Sequence, residues 1–398
     1  MIKTGFAFIA SIFVILSVYN IFFAKYGDKK VFKVIPPIVI LYLFIMGAGT
    51  LGLWDYSDGS AVLAAKSNIM NFGVPILIYL ACVSNDIRKT KKLGKKLIGV
   101  YVATALTIMI GIFVGAILFS GKLNIPEAGN TFGAFSASFI GGPENLYAVA
   151  NTVKLSDAAL ANALMLIYVV FTPWMLLLTA VVPIVAPRFN KWTKTNDLTI
   201  IAEAAERIDE GDTTEKREAT ATDVFVLFAV GGLIEAIGLW IGRIISSTFP
   251  AFSMWGSIIM YVIVTVVSLL LGCYSKLPKN PALKFATPLF ATVMLFLGAV
   301  GVDLRIFMNA GWFLATSATA LVIHTALMFL YAKLTRSDMY AMGCASIACV
   351  GGNSSAAVVA AAYGHKAYIT IATVMAAVGP VVGTFLGLGL AQLLNGIL

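Results

Sequence analysis

The sequence predicts an all-α polytopic membrane protein: two repeats of about five to six transmembrane helices, inverted relative to each other, each with one broken helix. Three observations lead there. Apolar residues make up 60% of the chain and charged ones 12%, with a mean hydropathy of +0.92, whereas charged residues form about a quarter of an ordinary soluble domain. About six apolar windows, each near the roughly twenty residues that span hydrocarbon, stand on either side of one polar stretch. Finally, Ser138-Phe139-Ile140-Gly141-Gly142-Pro143-Glu144-Asn145 in the first half returns as Ile347-Ala348-Cys349-Val350-Gly351-Gly352-Asn353-Ser354-Ser355 in the second.

The windows fall at 4–24, 32–53, 69–85, 97–120, 131–153 and 158–186, then at 223–249, 253–274, 285–302, 309–332, 338–362 and 367–396. They divide the chain into a first membrane repeat (1–187), a hydrophilic linker (188–222) and a second membrane repeat (223–398). Met1-Ile2-Lys3 leads into an apolar run with no small-residue cleavage site behind it, which reads as a membrane helix and not a cleaved leader. The two halves keep the same order. Phe72-Gly73-Val74-Pro75 opens a helix ending at Asp86-Ile87-Arg88, and Phe285-Ala286-Thr287-Pro288 opens one ending at Asp303-Leu304-Arg305. A long helix follows each, then the broken segment, then a helix interrupted by Pro173 or Pro380.

Charge sets the orientation. Lys25, Lys29, Lys30 and Lys33 mark one inner loop of the first half, and Arg88, Lys89, Lys91, Lys92, Lys95 and Lys96 another, which leaves the amino terminus outside. In the second half the alternate loops are positive, through Lys276, Lys279 and Lys284, then Lys333 and Arg336. Corresponding loops therefore take opposite sides, as in inverted repeats. Six crossings per repeat would instead make them parallel, so either one segment is not a simple crossing or one crossing has been missed. The linker mixes acids and bases without core residues; 195–208 has the pattern of a short amphipathic helix, but a solvated, partly mobile connector is expected.

The chemistry concentrates at the two breaks. Paired glycines let the backbone leave the helix without a Cβ penalty, and Pro143 suits the first turn of a new helix. Two half-helices meeting near mid-membrane would offer N–H groups and positive dipole ends to anions, and carbonyls to cations. Such breaks survive in lipid only where protein or a water-filled cavity surrounds them, and a matched pair of them points to a transporter's binding site. Ser138, Gly141, Gly142, Asn145, Gly351, Gly352, Asn353, Ser354 and Ser355 are the candidate substrate contacts. Glu144, Asn145, Asn162 and Ser346 are the candidate ion-coupling residues, because a carboxylate at that depth must be paired, solvated or protonated. Small residues that merely allow close helix packing are the plainer alternative.

Other features carry less. Glu235 is a second acid within an apolar window, too far along one helix from Arg243 for direct pairing, and His324 fits a neutral imidazole bonded to a carbonyl on the next helix better than a proton relay. Cys82, Cys273, Cys344 and Cys349 read as packing residues. With His324 and His365 as the chain's histidines there is no cluster for a metal, and no protease, hydrolase or P-loop signature marks an enzyme. No cofactor is expected beyond Na⁺ or H⁺ as coupling ion. The net charge of +9 sits in short loops that orient helices in the bilayer, so nucleic acid is not an expected partner.

The motifs resemble those of a bacterial and plastid family of integral membrane proteins called domain of unknown function 819. The matching stretches are Ser138-Phe139-Ile140-Gly141-Gly142 with Asn145 and Ala148-Val149-Ala150; Phe296 with Ala299-Val300-Gly301-Val302-Asp303-Leu304-Arg305; and Ala348-Cys349-Val350-Gly351-Gly352 running to Ala360-Ala361-Ala362-Tyr363-Gly364-His365-Lys366. More distantly the plan looks like the bile acid:sodium symporters and cation/proton antiporters. That likeness implies two broken helices crossing in a core domain that moves against a panel domain. The antiporters carry an ion-binding aspartate just after the first break; here the position reads Ala161-Asn162. This leaves room for a symporter in which Glu144, Asn145 and backbone carbonyls hold the cation.

The expected function is cation-coupled secondary transport of a small organic anion or zwitterion in a bacterial inner membrane, by elevator-like motion, with a homodimer compatible but no dimer surface marked. A sodium/proton antiporter without organic solute is the alternative, followed by a channel or a membrane sensor.

Overall fold

The computed structural model describes residues 1–27, 29, 37–84, 86–123, 127–195, 198–209, 217–249, 256–300 and 311–398. Among them the regular structure is helical, apart from an isolated bridge between Ile2 and Trp54. The first half holds α1 (Gly5–Tyr26), α2 (Pro37–Thr50), α3 (Ala61–Val83), α4 (Gly94–Leu118, entered through a 3-10 turn at Ile87–Leu93), α5 (Ala128–Gly141), α6 (Pro143–Thr152) and α7 (Asp157–Ala180). Two shorter helices follow, α8 (Val182–Thr193) and α9 (Leu198–Asp209). The second half holds α10 (Ala221–Thr248), α11 (Gly256–Tyr274), α12 (Leu283–Ala299), α13 (Gly311–Thr335), α14 (Met339–Ala361), α15 (Lys366–Ala376) and α16 (Gly379–Asn395).

This is a multi-pass membrane protein. Among the described residues six helices are long and apolar enough to cross a bilayer, or seven if α15 and α16, bent by 49°, count as one broken span. Its perimeter exposes side chains such as Phe6 (84%), Phe225 (75%) and Trp240 (65%). Water would penalise such a belt, and lipid does not.

Local chemistry sets the helix starts. Ser60 and Ser156 accept N–H groups of the first turns of α3 and α7, and Thr220 with Asp223 forms a capping box on α10. Ser60 explains one difference from expectation: α3 begins at Ala61, so Pro75 lies inside the helix and does not open it, as Pro288 lies inside α12. Likewise α7 runs through Pro173, whereas the chain bends ahead of Pro380. Lys30 and Lys33, and the Asp303 and Arg305 expected to match Asp86 and Arg88, lie outside the described residues.

The helices pack as two groups, α1–α3 with α10–α12, and α4–α7 with α13–α16. The closest seam is α5 against α16, where Gly133, Ala137 and Gly141 meet Gly379, Gly383, Gly387 and Ala391, and Gly129 meets Asn395. A Cβ at Gly133 would come within 2.8 Å of the Gly387 carbonyl. Small residues every fourth position let the two backbones close on each other.

Contacts also tell the two ends of the bundle apart. At one end Lys96 Nζ donates to the Arg336 carbonyl, Arg88 lies over the Tyr274 ring and Lys333 Nζ donates to the Trp192 carbonyl. The basic loops of both halves thus share this end. At the other, Lys122 lies over Trp312 and Ile2 pairs with Trp54. Over 198–209 the linker is not the solvated connector expected. Ile201, Ala204, Ala205 and Ile208 on α9 are buried, because α9 lays that face on α15 and the 3-10 turn, and Lys92 Nζ donates to the Arg207 carbonyl at 2.5 Å.

Candidate functional site

At both Gly-Gly pairs the backbone departs from helical dihedrals on the second glycine. Gly142 has φ 100° and ψ 169°, which ends α5 and starts α6. Gly352 has φ 65° and ψ −168°, which splits α14 into two half-helices. These dihedrals are open to glycine and strained for any other residue. Each break also brings its flanks together. Beyond α6, the Ser156 N–H donates to the Glu127 carboxylate that precedes α5, at 3.3 Å. Tyr363, just past α14, packs tilted against Tyr340 at its start, ring centroids 5.1 Å apart. The first pair of ends sits at the Lys122 end of the bundle, and the second at the basic end, where Asn190 donates to Asp338 and accepts from the Met339 N–H at 2.9 Å.

At the first tip, Ser138 is buried and its carbonyl accepts the Gly142 N–H at 2.9 Å. Gly141 is pressed against the Gly379 carbonyl and the Asn145 amide. Asn145 is 1% exposed and bonded at both ends of its amide: its Nδ2 donates to the Gly379 carbonyl at 3.4 Å, and its Oδ1 accepts from Thr384 at 2.7 Å. Glu144 behaves differently. It stands in the first turn of α6, where the helix dipole favours an acid, and its carboxylate folds back so that a Cβ on Gly142 would lie 2.9 Å from both oxygens. Among the described residues no Lys or Arg pairs with it.

At the second tip, Gly351 faces the Phe171 ring and the Ser355 side chain, and beyond Gly352 nothing lies within 4 Å of where a Cβ would be. The side chains of Asn353 and Ser354 lie outside the described set. Ser346, on the half-helix leading in, accepts from Trp174 Nε1 at 3.0 Å and sits 3.5 Å from His324 Nε2. His324 Nδ1 in turn meets the Thr107 hydroxyl at 2.8 Å, so its expected partner on the next helix is a hydroxyl and not a carbonyl. Asn162 is buried on α7, away from these bonds; the neighbouring Ala161 carbonyl accepts from Tyr42 at 3.2 Å.

Sequence reasoning missed the groups that join the tips. The Tyr101 hydroxyl donates to the Ile140 carbonyl at 3.4 Å and lies beside the Cys349 thiol, touching both broken segments. Its only signal was a hydroxyl within an apolar helix. Gly379 carried a better one, standing in the glycine register of α16, and Thr384 directly follows Gly383 of that register.

A family profile described as "Protein of unknown function (DUF819)" matches residues 10–397. No curated protein matches the chain.

Proposed function

The chain belongs to the DUF819 family of proteins of unknown function, and from that premise we propose that it is a cation-coupled secondary transporter of a small organic anion or zwitterion. The observation that carries this is the pair of glycine turns, approached from opposite ends of the bundle, with Glu144 at one of them lacking a basic partner among the described residues. An unpaired carboxylate inside a membrane protein invites a cation or a proton, so Glu144 is the coupling residue. Among the described residues nothing lies within 4 Å of a Cβ placed on Gly352, and the positive dipole end of the half-helix that starts there is a setting for the solute's carboxylate.

The same contacts support an inverted duplication. If each broken segment returns to the side it came from, each repeat has five crossings, an odd number, and the second begins on the side opposite to the first. The segments then re-enter, where two crossing broken helices were expected. The basic end faces the cytoplasm. The first three helices of each repeat form one group and the remainder the other, which suits elevator-like motion of the α4–α7 and α13–α16 group against a panel. The work done is translocation, not covalent chemistry.

Thermal stability of the purified protein against Na⁺, pH and a panel of small carboxylates and amino acids tests this, since a ligand of the native state raises stability by mass action. A Na⁺- or pH-dependent shift that grows with one organic solute and vanishes in Glu144→Gln is the expected result. A shift with Na⁺ or pH alone would instead support sodium/proton exchange without a solute. That second possibility draws on Asn145, whose bonds to Gly379 and Thr384 leave Glu144 as the available ligand.

A further inference from the structure

Glu235 lies about halfway along the 28-residue α10, the depth at which a charge costs most, and is 7% exposed. Among the described residues no Lys or Arg pairs with it, and its Oε2 is buried with no hydrogen-bond partner. The transport reading gives it no task. A lone carboxylate is too costly to hold in such a place, whereas a neutral carboxylic acid is not.

Its surroundings come from two neighbouring helices. One turn before it, a Cβ on Gly231 would lie 2.7 Å from the Tyr79 ring and 3.0 Å from Ile76 of α3. One turn after it, a Cβ on Gly238 would lie 3.2 Å from Met260 of α11. The titratable groups on these walls are two phenols. Tyr79 Oη is itself buried without a partner among the described residues. Tyr261, the residue after Met260, is close enough to feel the charge of Glu235. Its oxygen accepts from Asn151 Nδ2, at the end of the first broken segment, at 2.9 Å, and its own O–H has no acceptor among the described residues. The third neighbour, α12, touches α10 where Phe290 meets Phe228 and brings only Lys284, near its start. On α10 itself Asp223 and Arg243 stand more than two turns from Glu235. With Ile76, Met260 and two neutral phenols around it, the acid suits one proton better than a metal ion, which needs several oxygen ligands.

We propose that Glu235 is a proton-binding site separate from Glu144, held as the neutral acid in the arrangement described, and that Tyr261 ties it to the first broken segment. Taking up a proton converts the carboxylate into a neutral acid. Releasing it demands a donor for the charge left behind, and the Tyr261 O–H is the donor at hand. The Asn151 amide on the phenol oxygen polarises that O–H and makes it a stronger donor. The Asn151 contact therefore favours release of the proton, and by linkage a proton on Glu235 weakens the Asn151–Tyr261 bond.

The test is infrared spectroscopy of the full-length protein in lipid vesicles, titrated from acid to alkaline pH and read at the carbonyl stretch of neutral carboxylic acids. Exposed acids lose that band at about pH 4. The expected result is a band that persists at neutral pH, is missing in Glu235→Gln and remains in Glu144→Gln. Glu235→Asp, which keeps the acid and shortens its reach, should move the band, and serves as the assignment if the Gln variant folds poorly. Tyr261→Phe should raise the proton affinity roughly tenfold, the size of one hydrogen bond to a charged group, so that the band is lost at higher pH. Asn151→Ala should act in the same direction by a smaller step; a purely structural role for either residue would leave the midpoint where it is. The proposal is overturned if the parent has no such band at neutral pH, if Glu235→Gln and Glu235→Asp leave the band unchanged, if Na⁺ at fixed pH abolishes it, or if neither Tyr261→Phe nor Asn151→Ala moves its midpoint. The readout needs neither solute nor flux, so its outcome is independent of the transport reading and of the role of Glu144.

Discussion

The Thr384 hydroxyl donates to Oδ1 of Asn145 at 2.7 Å, joining residues 239 positions apart. With its amide given to the Gly379 carbonyl, Asn145 is the pin between the first tip and α16. Asn145→Ala removes both bonds and leaves buried groups unpaired, for a loss of about 1–3 kcal/mol. Thr384→Val should cost less, and the double variant less than the sum of the two. Thermal or denaturant unfolding of the four proteins in one detergent checks this; additive losses would mean that the two side chains do not act together.

Two glycines should respond to alanine for different reasons. Gly352→Ala meets no neighbour, so its cost of about 1–3 kcal/mol comes from the backbone dihedral alone. Gly133→Ala keeps its helical dihedral but runs into Ala391 and the Gly387 carbonyl, an overpacking cost of about 1–3 kcal/mol. Ala391→Gly should recover part of the second loss and none of the first, as read from melting temperatures.

Asp86, outside the spans, is held below the usual carboxylate range by its hydrogen bonds from the Arg88 side chain at 2.8 Å. The folded protein therefore prefers the ionised acid. The stabilisation is present above the ordinary Asp value, about 3.9, and is lost as pH falls through the lower folded value. Asp86→Asn should melt slightly below the parent protein at neutral pH, with the gap closing below about pH 4. A gap that does not change with pH would exclude the charge as its cause.

The linker should be protected where α9 is docked. Ile201→Asp places a charge on a face that is 1% exposed at that residue and should release the helix. Limited proteolysis is expected to cut within 198–209 faster in the variant, while the melting of the membrane helices changes little. Equal cleavage of parent and variant would mean α9 is already loose.

The helix windows were legible because length and apolarity are local properties: the window at 223–249 became Ala221–Thr248, and that at 309–332 became Gly311–Thr335. The breaks were legible because Gly142 and Gly352 need glycine for their dihedrals. Whether a broken segment crosses or returns was not, since both routes use the same number of residues. What bears on it are partners far apart in sequence, Glu127 with Ser156 at one end and Tyr340 with Tyr363 at the other. Asn145 was picked out correctly as unusual, but its bonds to Gly379 and Thr384 could not be, because polarity at one position does not say which helix will come to meet it. The docking of α9 was hidden for a similar reason: four small or apolar residues among charges suffice once α15 and the 3-10 turn supply the other wall.

The glycine seam between α5 and α16 has a mechanical meaning. Two backbones meshed through Gly133, Ala137, Gly383 and Gly387 have nothing larger than a methyl between them to rearrange, so α16 cannot lag behind the first broken segment. Any displacement of that segment is delivered to the chain's end: a dye attached near Leu398 would travel with it as a pointer does with its needle, reporting from the surface on a movement at the centre of the membrane.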